Sequence, residues 1–190
     1  MFYNRDCRVK EGIILNLPSL ELYDELITRI DAHEKRLLQS YGDYIACAPG
    51  CDSCCILGSV CAVEAWVLAC AYESIPYEQQ SAIKKSVEQD TGEDCVFLLD
   101  GICAVYGSRP VICRTHGYPI LVDGRVDMCP ENFRGIDKID SEFILDLEQL
   151  NTALGVINMR FLEEVRDERF RRDRVSLREL VSLCCLVRQY

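Results

Sequence analysis

Four cysteines crowd into nine residues of this chain, in the stretch CAPGCDSCC from Cys47 to Cys55. A proline and a glycine interrupt any helical pattern there, which predicts a loop whose backbone can fold tightly. Three residues separate Cys47 from Cys51, and two separate Cys51 from Cys54. Such spacings let one loop place several thiolates around a metal ion or an iron–sulfur cluster. The stretch therefore predicts a thiolate metal site, around which the rest of the fold must be arranged.

Length, apolar content and charge restrict the domain number, the location and the partners that can be expected for this chain. The chain of 190 residues is predicted to form a single domain, 1–190, with a metal-binding core at about 43–132 between an N-terminal helix and a C-terminal helical segment. We find no secretory signal and no apolar run of about 20 residues, so a cytoplasmic protein without a membrane span is expected. A net charge of −10 argues against nucleic acid as the partner, since affinity for phosphates comes largely from Lys and Arg.

The chain has thirteen cysteines, and in a reducing cytosol clustered thiols indicate metal binding or redox chemistry before structural disulfides. Not all of them are candidates. Cys61 and Cys70 lie among apolar residues of a predicted helix, where small buried hydrophobes are the simpler interpretation. Cys184 and Cys185 fall in an apolar helical run, which predicts packing in a core or an interface.

Apolar periodicity predicts helices in the first half of the chain. The first runs from Ser19 to about Ser40, with Ser19 as its cap and His33 facing solvent. The second is predicted to be capped by Ser59, and Pro76 fits the first turn of the third.

The second half mixes strands and helices. Asp-Gly pairs at 100–101 and 123–124 separate short β-like runs, which predicts two hairpins. Helical patterns follow at about 141–172 and after a capping box at 176–179. The predicted class is α+β: mainly α-helical, with two short β-hairpins around a Cys-rich metal centre.

Further cysteines are predicted to complete the site. Adjacent residues of an extended chain point to opposite sides, so Cys54 and Cys55 suit two neighbouring centres, or one centre with a spare thiol. Hairpin ends and turns, where loops commonly display ligands, carry four more thiols: Cys95, Cys103, Cys113 and Cys129. Four plus four thiols would suffice for two tetrathiolate sites, although each downstream cysteine could equally be a core residue.

The order of these motifs resembles a known family. CAPGCDSCC followed by CVFLLDGICAVYGSRPVICRTHGYP is similar to the YkgJ-type CxxCxxCC family of zinc- or iron-chelating domain proteins, over about Cys47 to Cys129. Glu64 resembles a glutamate on a helix in that family. The resemblance implies a cysteine cluster of Cys47, Cys51, Cys54, Cys55, Cys95, Cys103 and Cys113, with Cys129 as its downstream member. The cysteines outside the pattern are Cys7, Cys61, Cys70, Cys184 and Cys185.

Other residues of the same signature are expected near the centre. Tyr106, Arg109 and Arg114 belong to it, and arginines can donate hydrogen bonds to thiolate or sulfide and offset its negative charge. The alternative for each arginine is an ordinary surface ion pair. His116 is a candidate metal ligand, a candidate partner of a thiol in nucleophilic catalysis, or a structural residue.

Zinc and iron–sulfur clusters both accept four cysteine sulfurs, so ligand type alone does not separate them. The resemblance favours iron, as [4Fe-4S], because members of the broader group are linked with methylation of flagellin lysines and are thought to carry such a cluster. CxxxCxxC also occurs in radical SAM enzymes. Ser53 stands here where they usually have an aromatic residue, and the strand–helix alternation of their barrel is missing.

These observations predict a cytosolic cysteine-cluster protein that binds iron–sulfur or zinc, in one or two centres, for redox or protein-modification chemistry on a protein substrate or partner. The alternative is a structural-zinc module that binds another protein without catalysis. Motifs of classical hydrolases and nucleotide-binding loops are absent from the sequence.

Overall fold

The computed structural model describes residues 17–48, 50–89, 92 and 94–186. Over these residues the chain is mainly helical, with strands of only two or three residues. The helices are α1 (Pro18–Tyr41), α2 (Ala62–Ser74), α3 (Tyr77–Gln89), α4 (Val111–Thr115), α5 (Leu147–Glu164) and α6 (Leu177–Leu186). The strands are β1 (Ser59–Cys61), β2 (Leu98–Leu99), β3 (Ile102–Cys103), β4 (Ile120–Val122), β5 (Arg125–Asp127), β6 (Leu145–Asp146) and β7 (Arg174–Ser176).

The strands form three small sheets within the described residues, and the predicted α+β class is confirmed. Strands β2 and β3 form one antiparallel hairpin, and β4 and β5 form the other. Both turn at the predicted Asp-Gly pairs, whose residues all have positive φ, as a tight hairpin turn requires. Two pairings were not predicted: β6 lies parallel to β4, and β7 lies antiparallel to β1.

Helix α2 lies at the centre of the main core, and ten of its residues are buried. Its Trp66 ring packs 6.0 Å from the Phe161 ring of α5 and 5.1 Å from the Phe170 ring, between centroids. Helices α1, α5 and α6 also contact α2. Because the other helices enclose α2, its N-terminal end is held in place, and so are the segments that contact it, β1 and the start of α4.

Helix α1 confirms the first predicted helix but corrects two of its details. Ser19 is not a cap: its backbone N–H and its hydroxyl donate to Oε2 of Glu164, at 3.0 and 2.6 Å. His33 does not face solvent, since only 7% of it is exposed. It lies three residues after Ile30 and four before Leu37, so it shares their buried face.

Two further helix boundaries differ from the predictions. Ser59 does not cap α2, because it pairs with Ser176 in the sheet of β1 and β7. The helix begins at Ala62, with Cys61 as N-cap and Glu64 completing a capping box. The helical region predicted at 141–172 is shorter at both ends: α5 runs from Leu147 to Glu164, after β6 and before a 3-10 turn (Glu168–Phe170) that leads to β7. Pairing between distant strands, which local patterns do not reveal, causes these differences.

The cysteines outside the family pattern have varied roles. Cys61 is half-buried at the start of α2, rather than a fully buried hydrophobe. Cys70 is buried as predicted but is disulfide-bonded, which was not predicted. Cys184 is buried in the core. Cys7 and the side chain of Cys185 lie outside the described residues. In the part of the chain that is described, no helix combines the length and the apolar character needed to span a bilayer.

Candidate metal centre

The cysteine-rich loop lies directly against the first hairpin. The backbone N–H of Cys95 donates to the carbonyl of Cys55 at 2.7 Å. A Cβ atom placed on Gly101, in the hairpin turn, would lie 3.6 Å from Oδ2 of Asp52 and 3.7 Å from Cα of Gly50. The two stretches that carry the predicted ligands are therefore in contact, although about 40 residues of sequence and two helices separate them.

The loop is turned rather than extended. Cys51 donates its N–H to the carbonyl of Ala48 at 2.9 Å, and Cys55 donates to that of Asp52 at 2.7 Å. The backbone at Cys54 and Cys55 is therefore not extended, and the expected alternation of their side chains, which assumes an extended chain, does not apply.

One set of thiols surrounds Cys51. The pKa of this thiol is raised first by the nearby thiol of Cys47, and further by those of Cys54 and Cys129. Three of the four residues are exposed and the fourth is half-buried. We call this set the outer thiol group: Cys47, Cys51, Cys54 and Cys129.

Asn132 holds the outer thiol group together. It is only 3% exposed, and its Oδ1 accepts from the N–H of Ala46 at 2.9 Å. Its Nδ2 donates to the carbonyl of Gly117 at 2.8 Å and approaches Sγ of Cys47 at 3.5 Å. Its backbone N–H donates to the carbonyl of Cys129 at 3.0 Å. One buried amide thus joins the loop to the segment that carries the fourth thiol.

Gly117 lets these segments approach closely. Its φ is +85°, and an added Cβ would lie 3.2 Å from Nδ2 of Asn132. The same Cβ would lie 3.4 Å from Cβ of Cys129 and 3.7 Å from Sγ of Cys47. Since both cysteines border this one small volume, the absence of a side chain at Gly117 permits their proximity.

A second set of thiols lies deeper. The pKa of Cys113 is raised to about 12, chiefly by burial and to a smaller extent by the nearby thiols of Cys95, Cys103 and Cys55. Burial likewise raises the pKa of Cys95 to about 11, with smaller effects from Cys103 and Cys55. All four residues are half-buried. We call this set the inner thiol group: Cys55, Cys95, Cys103 and Cys113.

Regular secondary structure carries two of the four cysteines of the inner thiol group. Cys103 lies on β3, opposite Leu98, and Cys113 lies on α4. Cys95 accepts from the N–H of Leu98 at 2.9 Å, just before the hairpin. Cys95 and Cys103 also pack against the main core.

Arg109 lies beside the inner thiol group, as the family resemblance implies. Its Nη1 donates to the carbonyl of Cys113 at 3.3 Å, and its charge lowers the pKa values of Cys103 and Cys113, against the effect of burial. The guanidinium stacks over the Tyr106 ring at 3.8 Å from the centroid, and its buried Nε has no partner within the described structure. Its Nη2 also lies 3.9 Å from Oε1 of Glu34 on α1, so this cation forms an ion pair, the alternative left open above, as well as lying next to two of the inner thiols.

Arg114 and His116 have other surroundings. Arg114 is buried and donates to the carbonyls of Arg109 and Gly107, at 2.8 and 2.7 Å, and to the carboxylate of Asp31 on α1. These contacts attach α4 to α1. His116 is exposed just after α4, and its backbone N–H bonds to the carbonyl of Ile112. The geometry supports a structural role for Arg114. The hydrogen bond of His116 is formed by its backbone N–H and involves no atom of the imidazole ring.

Glu64 attaches α4 to α2. Its buried carboxylate accepts from the N–H of Val111 at 2.9 Å and from the N–H of Cys61 at 3.3 Å. Burial raises its pKa, and the two hydrogen bonds partly oppose this effect. The residue that resembles the family glutamate thus positions the helix that carries Cys113.

The eight thiols are grouped without being in the arrangement of a closed metal site. Among the described residues, no three His, Cys, Asp or Glu side chains already have the geometry that would hold a metal ion. The thiols nevertheless affect one another's pKa values, within each group and also between Cys51 or Cys54 and Cys55, and all eight are free. The donor set itself, four cysteines a group, suits tetrahedral zinc or an iron–sulfur cluster.

Two residues of this region were missed by the sequence analysis. Asn132 follows Cys129 by three residues, and Gly117 follows His116. Neither belongs to a metal-binding spacing, and isolated Asn and Gly residues are ordinary in loops. Their importance follows only from the close approach of three segments.

Comparison of the chain with protein-family models, with curated proteins and with solved structures gives no match. The resemblance to the YkgJ-type family therefore stays a prediction.

Proposed function

We propose that this protein is a cytoplasmic thiolate metal-binding protein with two adjacent centres, which serve redox or protein-modification chemistry. The observation that supports the proposal is the contact between the segments that carry the eight free cysteines: the N–H of Cys95 donates to the carbonyl of Cys55 at 2.7 Å, and Nδ2 of Asn132 lies 3.5 Å from Sγ of Cys47. Clustered thiols favour a reducing compartment such as the cytoplasm, whereas the disulfide at Cys70 is a feature of oxidising ones.

The residues near the thiols fit a bound metal or cluster. Bound thiolates would give each centre a net negative charge. Arg109 contributes a positive charge beside the inner thiol group, and Asn132 an N–H donor directed at Cys47 of the outer one. Hydrogen bonds and charges of this kind tune the stability and potential of thiolate centres. When bound, iron–sulfur would supply one-electron chemistry and zinc would supply structure or Lewis acidity.

Metal analysis of the full chain, purified without oxygen, tests the proposal. Iron and sulfide with visible charge-transfer absorbance would identify a cluster, as the family resemblance predicts, and a colourless protein with zinc would identify zinc sites. Neither metal at a stoichiometric level would overturn the proposal.

Single substitutions connect the metal to the two groups. Cys51→Ser and Cys113→Ser should each lower the bound metal by the content of one group, because serine is a poor ligand for both metals. Cys61→Ser is the matched control: it removes a half-buried thiol outside both groups, and serine is a good N-cap for α2. An equal loss of metal in all three variants would contradict the assignment.

The alternative of a protein-binding module has an observation in its favour. Three isoleucines directly beside inner cysteines are exposed: Ile56, Ile102 and Ile112, at 64%, 60% and 43%. Exposed apolar side chains that gather around one feature are typical of interaction surfaces. In that case metal removal should unfold the chain, since the free energy of binding structural zinc is then part of the free energy of folding. A metal-free protein with unchanged circular dichroism would count against this alternative.

A further inference from the structure

We propose that the two thiol groups are unequal: the outer thiol group releases and rebinds a soft metal ion readily, whereas the inner thiol group retains its metal. The inference rests on the proposed function and goes beyond it by assigning metal exchange to Cys47, Cys51, Cys54 and Cys129.

Access to the thiols differs between the groups. Cys47, Cys51 and Cys54 are exposed, whereas all four inner cysteines are half-buried. A competing thiol or chelator must reach the metal before it can displace a ligand. The exposure of these three outer cysteines allows that approach.

The backbone supports also differ. In its described part, 45–48 and 50–58, the loop that carries Cys47, Cys51 and Cys54 has no helix or strand, and turn hydrogen bonds and Asn132 hold it. Cys55 of the inner group lies in the same loop, but the inner group also has one cysteine on β3 and another on α4, which Glu64 attaches to α2. Release of Cys103 or Cys113 would require the hairpin or α4 to open. Segments with few buried contacts open at a lower free-energy cost than those packed on the core.

The charges favour the same assignment. Arg109 lies next to Cys103 and Cys113, and its Nη1 bonds to the carbonyl of Cys113. A held cation stabilises an anionic thiolate centre, and the effect is strongest where water is excluded. The inner thiol group combines both conditions, burial and a nearby cation.

The kinetics of zinc release test the inference. The full chain, reduced and loaded with zinc, is mixed with an excess of the coloured chelator pyridylazoresorcinol. Each chain should release about two zinc ions, in two phases of equal amplitude. The rate constant of the fast phase should exceed that of the slow phase at least about tenfold. Cys51→Ser should remove the fast phase and leave the slow one, and Cys113→Ser should do the reverse.

Each result has a separate meaning. A single rate for both ions, or loss of the slow phase in Cys51→Ser, would overturn the inference while leaving two metal sites in place. A chain that binds no zinc would overturn the proposed function itself, and the inference with it.

Alkylation of the metal-free protein keeps the inference testable if a variant fails to fold. Wild-type chain treated with N-ethylmaleimide is digested and its cysteines are followed by mass spectrometry. Cys47 and Cys51 should react at least about tenfold faster than Cys95 and Cys113. Equal rates would show that access does not differ, and would overturn the inference.

Discussion

Replacement of Asn132 by leucine is the most direct test of how the outer thiol group is held together. Leucine has a similar size but cannot form two of the side-chain hydrogen bonds of Asn132. These are the bond that Oδ1 accepts from the N–H of Ala46, at 2.9 Å, and the bond that Nδ2 donates to the carbonyl of Gly117, at 2.8 Å. Each such bond contributes about 1 kcal/mol net, and an unsatisfied buried partner costs about 1–3 kcal/mol. The carbonyl of Gly117 is buried with its residue and keeps only the longer bond from Cys129, at 3.4 Å.

The expected loss is therefore about 2–4 kcal/mol of unfolding free energy. A domain of ordinary stability, about 5–15 kcal/mol, would remain folded. Urea unfolding of the reduced, metal-free chain, followed by circular dichroism, measures the loss. The change should also raise the alkylation rate of Cys47 without changing that of Cys113, because Asn132 contacts only the outer thiol group.

Asn151→Leu is the matched control. Asn151 is exposed on α5, and substitutions of this kind change stability by less than about 0.5 kcal/mol. If Asn132→Leu proved no more destabilising than the control, the view of Asn132 as the residue that joins the three segments would be wrong.

Two further predictions concern other positions. Gly117→Ala should lower the unfolding free energy by about 1–2 kcal/mol, the cost of a left-handed conformation for a residue with a side chain. The control Gly58→Ala should have little effect, because an added Cβ there meets nothing within 4 Å. Equal losses of unfolding free energy in the two variants, measured by urea unfolding, would contradict this account. Burial lowers the pKa of His33 from 6.5, so below that pH the unfolded chain binds a proton that the folded chain resists. The unfolding free energy should fall as the pH is lowered from 6.5 towards the folded pKa, and more steeply in wild type than in His33→Gln. Urea unfolding at about pH 7.5 and about pH 5.5 measures this fall in both proteins. An equal fall in wild type and in His33→Gln would exclude His33 as its cause.

Local patterns were sufficient for the hairpins and for most helices. Asp-Gly pairs select tight turns wherever they stand between β-like runs, and both predicted hairpins are present. The periodicity of α1 also gave its length to within one or two residues. His33 was placed wrongly, because a single polar residue on an apolar face can be buried when its neighbours, such as Leu37, pack against another segment.

The thiol-rich character of this protein, its α+β class and the residues that can act as ligands are determined by the sequence alone, since residue type and short-range spacing express them. The division of eight cysteines into two groups is a tertiary property. It depends on a loop that folds back on the hairpin, on a buried amide at Asn132 and on a missing side chain at Gly117. These contacts join residues from 15 to 86 positions apart, and only the packed chain decides which of them meet.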